Sequence, residues 1–169
     1  MIPRSAEGGI MGDYSVRLAK PEEQRELTRL SVRATLHAGH DDAFVDRSIP
    51  SLMITLPMIT GNWVRVAQDN SGNVVGVVWV TPTALPGIAL LQGLYVDPAH
   101  WKRGIGRTLF EAAVAQAREF KAGAIVINAE PSSEEFYKRM GATRIGEVPF
   151  YFSPETVLPL LLYLMPRET

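Results

Sequence analysis

The 169-residue sequence contains no cysteine. It can therefore form neither a disulfide framework nor a thiolate metal site, and it has no cysteine nucleophile. It has only three histidines, His37, His40 and His100, and their spacing matches neither HxxxH nor HExxH. We therefore expect no metal site. The formal net charge of -1 at pH 7 gives no overall attraction to nucleic acid, and we expect no nucleic-acid partner.

Long apolar runs are also missing. The most apolar stretch, residues 157–165, is too short to cross a bilayer and contains a proline. The N-terminus lacks the apolar core of a signal sequence, so we expect a cytoplasmic protein that does not contact membranes. Residues 1–12 show no periodicity and predict a flexible N-terminal arm. The remaining length, 13–169, suits a single domain.

The residue patterns predict an α/β domain. Alternating or β-branched segments predict strands at 14–18, 63–67, 74–81, 89–96, 124–129, 143–148 and 157–164. Helices are predicted from Pro21 onward, between 41 and 56 with an interruption at Pro50, over 106–121 with Gly123 as its end, and from a capping box at 132–135 to Met140. Because a strand–helix–strand unit needs a right-handed crossover, the strands at 89–96 and 124–129 should be parallel. We expect the rest of the sheet to be antiparallel.

A glycine-rich turn lies between the strand at 89–96 and the helix that follows it. The turn contains Gly104 and Gly106 among the basic residues Lys102, Arg103 and Arg107. Helix N-termini present unpaired N–H groups and a partial positive charge, and glycines let a polyanion approach the backbone closely. The turn therefore predicts a phosphate or pyrophosphate site.

Other interpretations of this turn remain open. The two glycines can simply shape a tight entry into the helix. A dinucleotide-binding loop is a further alternative, because Glu130 follows at about the distance of a ribose-binding acid, although a third glycine is missing. The glycine spacing does not match a Walker loop.

Two blocks of the sequence resemble the GNAT acyltransferase superfamily over roughly residues 63–148. Residues 94–98 read Leu-Tyr-Val-Asp-Pro, and residues 101–106 read Trp-Lys-Arg-Gly-Ile-Gly. Together they are similar to the family's motif A, Leu-x-Val-x-Pro followed by Gln/Arg-x-x-Gly-x-Gly/Ala, with Trp101 where the family usually has Gln or Arg. Residues 133–142 resemble motif B, Ala-x-x-Phe-Tyr-x-x-x-Gly-Phe, with Ser133 and Ala142 in place of its first and last residues.

The resemblance implies a single-domain GNAT-like fold, in which a mixed, mostly antiparallel sheet contains a splayed parallel strand pair and carries flanking helices. It also implies that acetyl-CoA is the cosubstrate and that its pantetheine arm lies in the V between those strands. By the same resemblance, Leu94 and Val96 offer backbone groups to the arm. The family often has an asparagine seven residues before the tyrosine; Glu130 stands there in this sequence, and Asn128, two residues earlier, is a candidate cofactor contact. The residues implied around the pyrophosphate are Lys102, Arg103, Gly104, Ile105, Gly106, Arg107 and Thr108.

The implied activity is an acyltransferase reaction, the transfer of an acetyl group to an amine of a small molecule or peptide. Tyr137 matches the family position of the general acid, and a phenol with a pKa of ~10 stays protonated at neutral pH and can donate to a leaving thiolate. Packing of Tyr137 in the core is the alternative interpretation. A non-catalytic acyl-CoA sensor of the same fold is the alternative function, and exposed strands near the C-terminus are compatible with a homodimer.

The general base is not identified by the sequence. The strand before the glycine turn offers Leu90 and Gln92, neither of which can titrate. The substitutes are Glu130, His37, His40, Asp41 and Asp42. Four aromatic residues are candidates for the wall of an acceptor pocket, although core packing is their favoured interpretation; they are Trp63, Trp79, Phe150 and Tyr151.

Overall fold

A computed structural model of the chain describes residues 12–167. The flexible arm predicted for residues 1–12 lies outside this range except for Gly12. Within the range, one sheet is formed by β1 Tyr14–Leu18, β2 Val64–Asp69, β3 Val74–Pro82, β4 Ile88–Val96, β5 Ala124–Asn128, β6 Thr143–Phe150 and β7 Ser153–Leu164. The helices are α1 Gln24–His37, α2 Asp42–Leu52, α3 Leu56–Thr60, α4 Ile105–Glu119 and α5 Glu134–Arg139.

The strands are arranged in the order β1-β2-β3-β4-β5-β7-β6. Only β4 and β5 pair in parallel among the described strands, and all other neighbours are antiparallel. The chain passes from β4 to β5 through α4, as parallel neighbours require a crossover connection. The predicted mixed sheet with one parallel pair is therefore confirmed.

Helices cover both faces of the sheet. On β3, Val77 and Trp79 join a buried cluster with Leu27 and Leu30 of α1. The alternate residues of β3 belong to a second cluster with α4. Because successive side chains of a strand point to opposite faces, a strand covered on both sides is apolar at nearly every position.

The predicted apolar stripe of α4 is confirmed, since Phe110, Ala113 and Val114 are buried against the sheet. The predicted end of this helix at Gly123 is wrong. Lys121 takes the left-handed conformation just after the helix, at φ 57°. The amide of Gly123 instead donates to the carbonyl of Gly87 at 2.7 Å, just before β5 begins.

Two further helix predictions need correction. The helix expected between 41 and 56 is α2 alone, and the separate short helix α3 begins only at Leu56. Pro50 does not interrupt α2 but lies inside it, two residues before its end, where few later helical hydrogen bonds remain. The predicted capping box at 132–135 does not form. The carboxylate of Glu130 accepts from the Ser132 amide at 3.0 Å and caps a short 3₁₀ turn that leads into α5.

The parallel strands separate after only four paired positions. Ile88 to Leu91 of β4 pair with Ala124 to Ile127 of β5. β4 continues to Val96 along β3, with a bulge where the register shifts. A V-shaped gap therefore opens between β4 and β5, as predicted.

Candidate functional site

A cleft of about 840 Å³ lies where β4 and β5 separate. This volume is within the range of small-molecule and cofactor sites. Its walls are the second half of β4, the glycine-rich turn before α4, the end of β5, the start of α5 and the C-terminal end of α1. The predicted site residues that line it are Leu94, Val96, Lys102, Gly104, Ile105, Gly106, Arg107, Asn128 and Tyr137.

The glycine-rich turn presents backbone amides to the cleft. Lys102 and Gly104 both take the left-handed conformation, at φ 62° and φ 80°. Gly104 is the N-cap of α4, and no side chain of the described residues caps it. Amides in such a turn and in the first turn of a helix form a concave donor site for anions.

Three basic side chains line the cleft. Lys102 and Arg107 belong to the turn and the start of α4, and Arg139 lies at the end of α5. The guanidinium of Arg103 instead donates to the hydroxyl of Tyr14 on β1 at 2.9 Å. The hydroxyl of Thr108 donates to the carbonyl of Gly104 at 3.2 Å. Arg103 and Thr108 are thus not among the lining residues, although they belong to the same turn.

The free edge of β4 faces the cleft. Asp97 donates its amide to Val75 of β3 at 2.8 Å. Since backbone groups alternate along a strand, the N–H and C=O of Val96 point to the opposite edge, toward the gap. The indole N–H of Trp101 donates to that carbonyl of Val96 at 2.8 Å, and its ring lies edge-on against His37. Trp101 therefore occupies part of the strand edge that a ligand would use.

Tyr137 lines the cleft and also belongs to the core. Its ring is only 6% exposed and packs against Phe110 and Phe136. Burial raises the pKa of Tyr137 well above its ordinary value, and the neighbouring Tyr95 adds to this effect. The hydroxyl of Tyr137 therefore stays protonated at neutral pH.

Tyr95 is a second cleft phenol with a shifted pKa. Burial raises its pKa to about 12, its hydrogen bond with Thr35 opposes the shift, and the negative charge of Glu130 adds to it. The cleft therefore holds two phenols that are neutral donors over the physiological range.

Two glycines keep the cleft open. A Cβ on Gly93 would lie 2.5 Å from the ring of Trp79, which packs across β4 at this point. A Cβ on Gly106 would lie 3.3 Å from the ring of Phe136 and 4.0 Å from Leu94. A larger residue at position 93 would push against the core ring of Trp79, and one at position 106 against Phe136, which lines the cleft.

The aromatic candidates for an acceptor pocket lie elsewhere. Trp79 is 1% exposed and belongs to the core, which confirms its packing interpretation. Tyr151 is largely exposed to solvent. Phe150 packs against Phe44, and Trp63 lies just before β2.

The residues considered for the general base differ in their contacts, as does Gln92, which stands on β4 where a carboxylate would be expected. Gln92 donates its amide to the hydroxyl of Thr81 at 3.1 Å. Asp41 caps α2 by accepting from the amide of Phe44 at 2.7 Å. Glu130 lines the cleft and pairs with His40 at 2.6 Å between Oε1 and Nε2.

Two absences apply to residues 12–167 alone. No group of three or more histidine and acidic residues there is placed to hold a metal ion. None of the helices in that range has the length and apolar character needed to span a membrane.

Some cleft contacts had no signal in the sequence. His40 and Glu130 are 90 positions apart, and neither residue lies in a motif that would pair them. The bond from Trp101 to Val96 could have been suspected only from the unusual tryptophan in the turn.

Comparisons with known proteins agree with this architecture. No curated protein sequence matches the chain. Ard1 of Thermoplasma volcanium is similar in structure, with a TM-score of 0.70, 17% identity and coverage of 92% of this chain and 99% of that one. The yncA protein of Salmonella typhimurium, determined with its cofactor acetyl-CoA, gives a TM-score of 0.67 at 20% identity and covers 94% of this chain and 97% of its own.

N-acetylglutamate synthase of Neisseria gonorrhoeae, complexed with coenzyme A and N-acetyl-glutamate, is also similar. Its TM-score is 0.69 at 15% identity, with coverage of 94% of this chain and 37% of that one. At these identities the likeness shows a shared fold. The sequence model of the Acetyltransferase (GNAT) family matches residues 26–142, and this chain is therefore a member of the GNAT acetyltransferase family.

Proposed function

We propose that this protein is an acetyl-CoA-dependent N-acetyltransferase that moves an acetyl group to a primary amine by direct attack on the thioester. The observation that carries the proposal is the glycine-rich turn at the start of α4, whose amides no described side chain caps and which lines a cleft between two separating strands. Because the reaction needs a supply of acetyl-CoA, we also propose that the protein acts in the cytoplasm.

The lining of the cleft supports this proposal for the pyrophosphate and the pantetheine arm of coenzyme A. The amides at the start of α4, from Ile105 to Arg107, would bind the pyrophosphate, and Lys102 and Arg107 would add positive charge. The exposed edge of β4 at Leu94 and Val96 would pair with the amides of the pantetheine arm. Asn128, at the end of β5, faces the same space. Two similar structures, yncA with acetyl-CoA and the synthase with coenzyme A, share this fold.

Tyr137 is the proposed general acid. Attack of a neutral amine on the acetyl carbonyl forms a tetrahedral intermediate, which collapses when the C–S bond breaks and sulfur leaves as a thiolate. A buried phenol that stays protonated can donate its proton to that sulfur. Arg103 and Thr108 would act on the phosphates only after a change of their present contacts.

The direct test is the release of free coenzyme A thiol from acetyl-CoA in the presence of a panel of amines. The chain contains no cysteine, so a thiol reagent has no protein background. Gly104→Asp should abolish both cofactor binding and turnover, because it places a carboxylate among the amides that would bind the pyrophosphate. Gly72→Asp is the matched control, since Gly72 also has positive φ but lies in the exposed β2–β3 turn. Full activity of the Gly104→Asp variant would contradict the proposal.

A non-catalytic acyl-CoA sensor is the second candidate. The observation that favours it is the absence of any carboxylate on β4, where Gln92 bonds to Thr81 instead. Tight binding of acetyl-CoA without transfer to any amine, together with an unchanged fold, would support the sensor over the enzyme.

A further inference from the structure

The basic and acidic residues that line the cleft lie on different elements. The basic residues are Lys102 and Arg107, in the turn and first helical turn where the phosphates would lie, and Arg139, at the end of α5. Among the described residues that line the cleft, Glu130 is the only carboxylate, and it follows the end of β5. A second ligand with positive charge would therefore be attracted to a different part of the cleft from the cofactor's phosphates.

Glu130 is held in a defined position by two elements. Its Oε2 accepts from the Ser132 amide at 3.0 Å and also from the Ser132 hydroxyl. Its Oε1 lies 2.6 Å from Nε2 of His40. A nitrogen lone pair facing an ionised carboxylate at this distance would be repelled, so Nε2 carries the hydrogen and donates it. The carboxyl side chain remains 33% exposed, which leaves surface for a ligand.

His40 is itself fixed by an aromatic stack. Its ring lies parallel to Phe44 at 4.1 Å between centroids, and Phe44 packs on Phe150 of β6. The Phe44 amide is bonded to Asp41, the cap of α2. The loop between α1 and α2 is thus anchored so that His40 meets Glu130, and the contact is part of the folded architecture.

We propose that Glu130 binds the ammonium group of a cationic primary amine and takes its proton, with His40 as the positioning residue. This inference rests on the proposed function and adds the acceptor class to it. An alkylamine is mostly protonated at neutral pH, so it arrives as a cation and must lose a proton before it attacks.

The proton balance is complete with groups in the cleft. The ammonium gives one proton to the Glu130 carboxylate, and its nitrogen lone pair then forms the C–N bond to the acetyl carbon. The C–S bond electrons leave with sulfur, which takes the Tyr137 proton. The second nitrogen proton restores the Tyr137 phenol through solvent, and Glu130 releases its proton to solvent. The sum is one ammonium and one acetyl-CoA giving one amide, one coenzyme A thiol and one proton.

The test compares two amines that differ in charge at pH 7, a cationic alkylamine and a weakly basic aryl amine that is neutral. Glu130→Gln keeps an oxygen for the Ser132 amide, so the fold should persist. We expect kcat/KM for the alkylamine to fall about 30-fold, the range of a lost charged hydrogen bond. The aryl amine should change less than about threefold on the same scale, and the dissociation constant of coenzyme A should be unchanged. Glu135→Gln is the matched control, because Glu135 is exposed and is not among the cleft-lining residues.

His40 needs its own readout. His40→Ala should raise KM for the alkylamine about tenfold while kcat stays within about threefold, because a hydrogen-bond donor that orients a carboxylate is removed. His40→Gln, which restores an N–H donor, should recover most of the loss.

The outcomes separate the two proposals. An equal loss for both amines in Glu130→Gln, or no loss for the alkylamine, overturns the role of Glu130 while the acetyltransferase function stands. A wild-type protein that transfers acetyl to no amine overturns the proposed function and this inference with it.

Discussion

Gly106→Ala should weaken the binding of coenzyme A while leaving the stability of the fold nearly unchanged. Gly106 is the second residue of α4, where alanine is favoured over glycine by about 1 kcal/mol. Against this gain, the new methyl group would lie 3.3 Å from Phe136, so the ring must yield slightly. The two effects oppose each other, and we expect the free energy of unfolding to change by less than about 1 kcal/mol.

Binding should respond differently because of where that methyl group points. It would enter the cleft between α4, Phe136 and Leu94, whose Cδ2 atom would be 4.0 Å away. The backbone of a glycine at this position can approach a phosphate closely, and an added Cβ prevents that approach. We expect the affinity for coenzyme A to fall at least about tenfold, which corresponds to ~1.4 kcal/mol.

The assay is isothermal titration with coenzyme A, with urea unfolding of the same preparations. Gly146→Ala is the matched control, since a Cβ there meets no atom within 4 Å and Gly146 is not among the cleft-lining residues. Unchanged affinity in Gly106→Ala would refute the placement of the pyrophosphate. If the free energy of unfolding fell by as much as the free energy of binding, the claim that Gly106→Ala affects binding and not folding would be refuted.

Substitutions at four further positions test other parts of the account. Tyr137→Phe should lower kcat about 100-fold, the low end for a general acid, and leave the dissociation constant of coenzyme A unchanged; full turnover would remove the phenol from the mechanism. Trp101→Phe removes the indole donor from the Val96 carbonyl and so frees that carbonyl for the ligand. We expect coenzyme A to bind about fivefold more tightly in a titration, as for one net hydrogen bond; weaker binding would mean that the indole contacts the ligand. The pKa of Tyr95 is raised to about 12, against ~10 in the unfolded chain, and this shift stabilises the fold fully below pH ~10 but not above pH 12. Between these values the melting temperature of Tyr95→Phe should therefore fall less steeply than that of the wild type, and parallel curves would contradict the burial of the phenol. Gln116→Leu removes the bonded amide oxygen from the buried guanidinium of Arg65 and should cost about 2 kcal/mol in urea unfolding, whereas Gln116→Glu should cost less.

Local patterns were sufficient for much of the fold. The apolar stripe of α4 follows from side-chain periodicity, and the strands before and after it follow from their apolar and β-branched residues; the crossover rule then makes those strands parallel. The glycine turn was also predictable, because its residues are adjacent in sequence and Gly104 takes the left-handed conformation that favours glycine.

Contacts between distant segments were not predictable from the residues alone. The pair of His40 and Glu130 depends on how a loop between two helices meets the end of a strand, and nothing in either local sequence encodes that meeting. The error at Gly123 has a similar origin. A glycine after a helix predicts a helix end, yet here Lys121 took the left-handed conformation and Gly123 bonded to Gly87.

A crystal structure of the protein with coenzyme A tests the central claim most directly. The account predicts pyrophosphate oxygens within hydrogen-bond distance, about 2.7–3.2 Å, of the α4 amides from Ile105 to Arg107, with the pantetheine arm along the free edge of β4. Coenzyme A bound outside the cleft, or excluded from it while side chains cap those amides, would contradict the account.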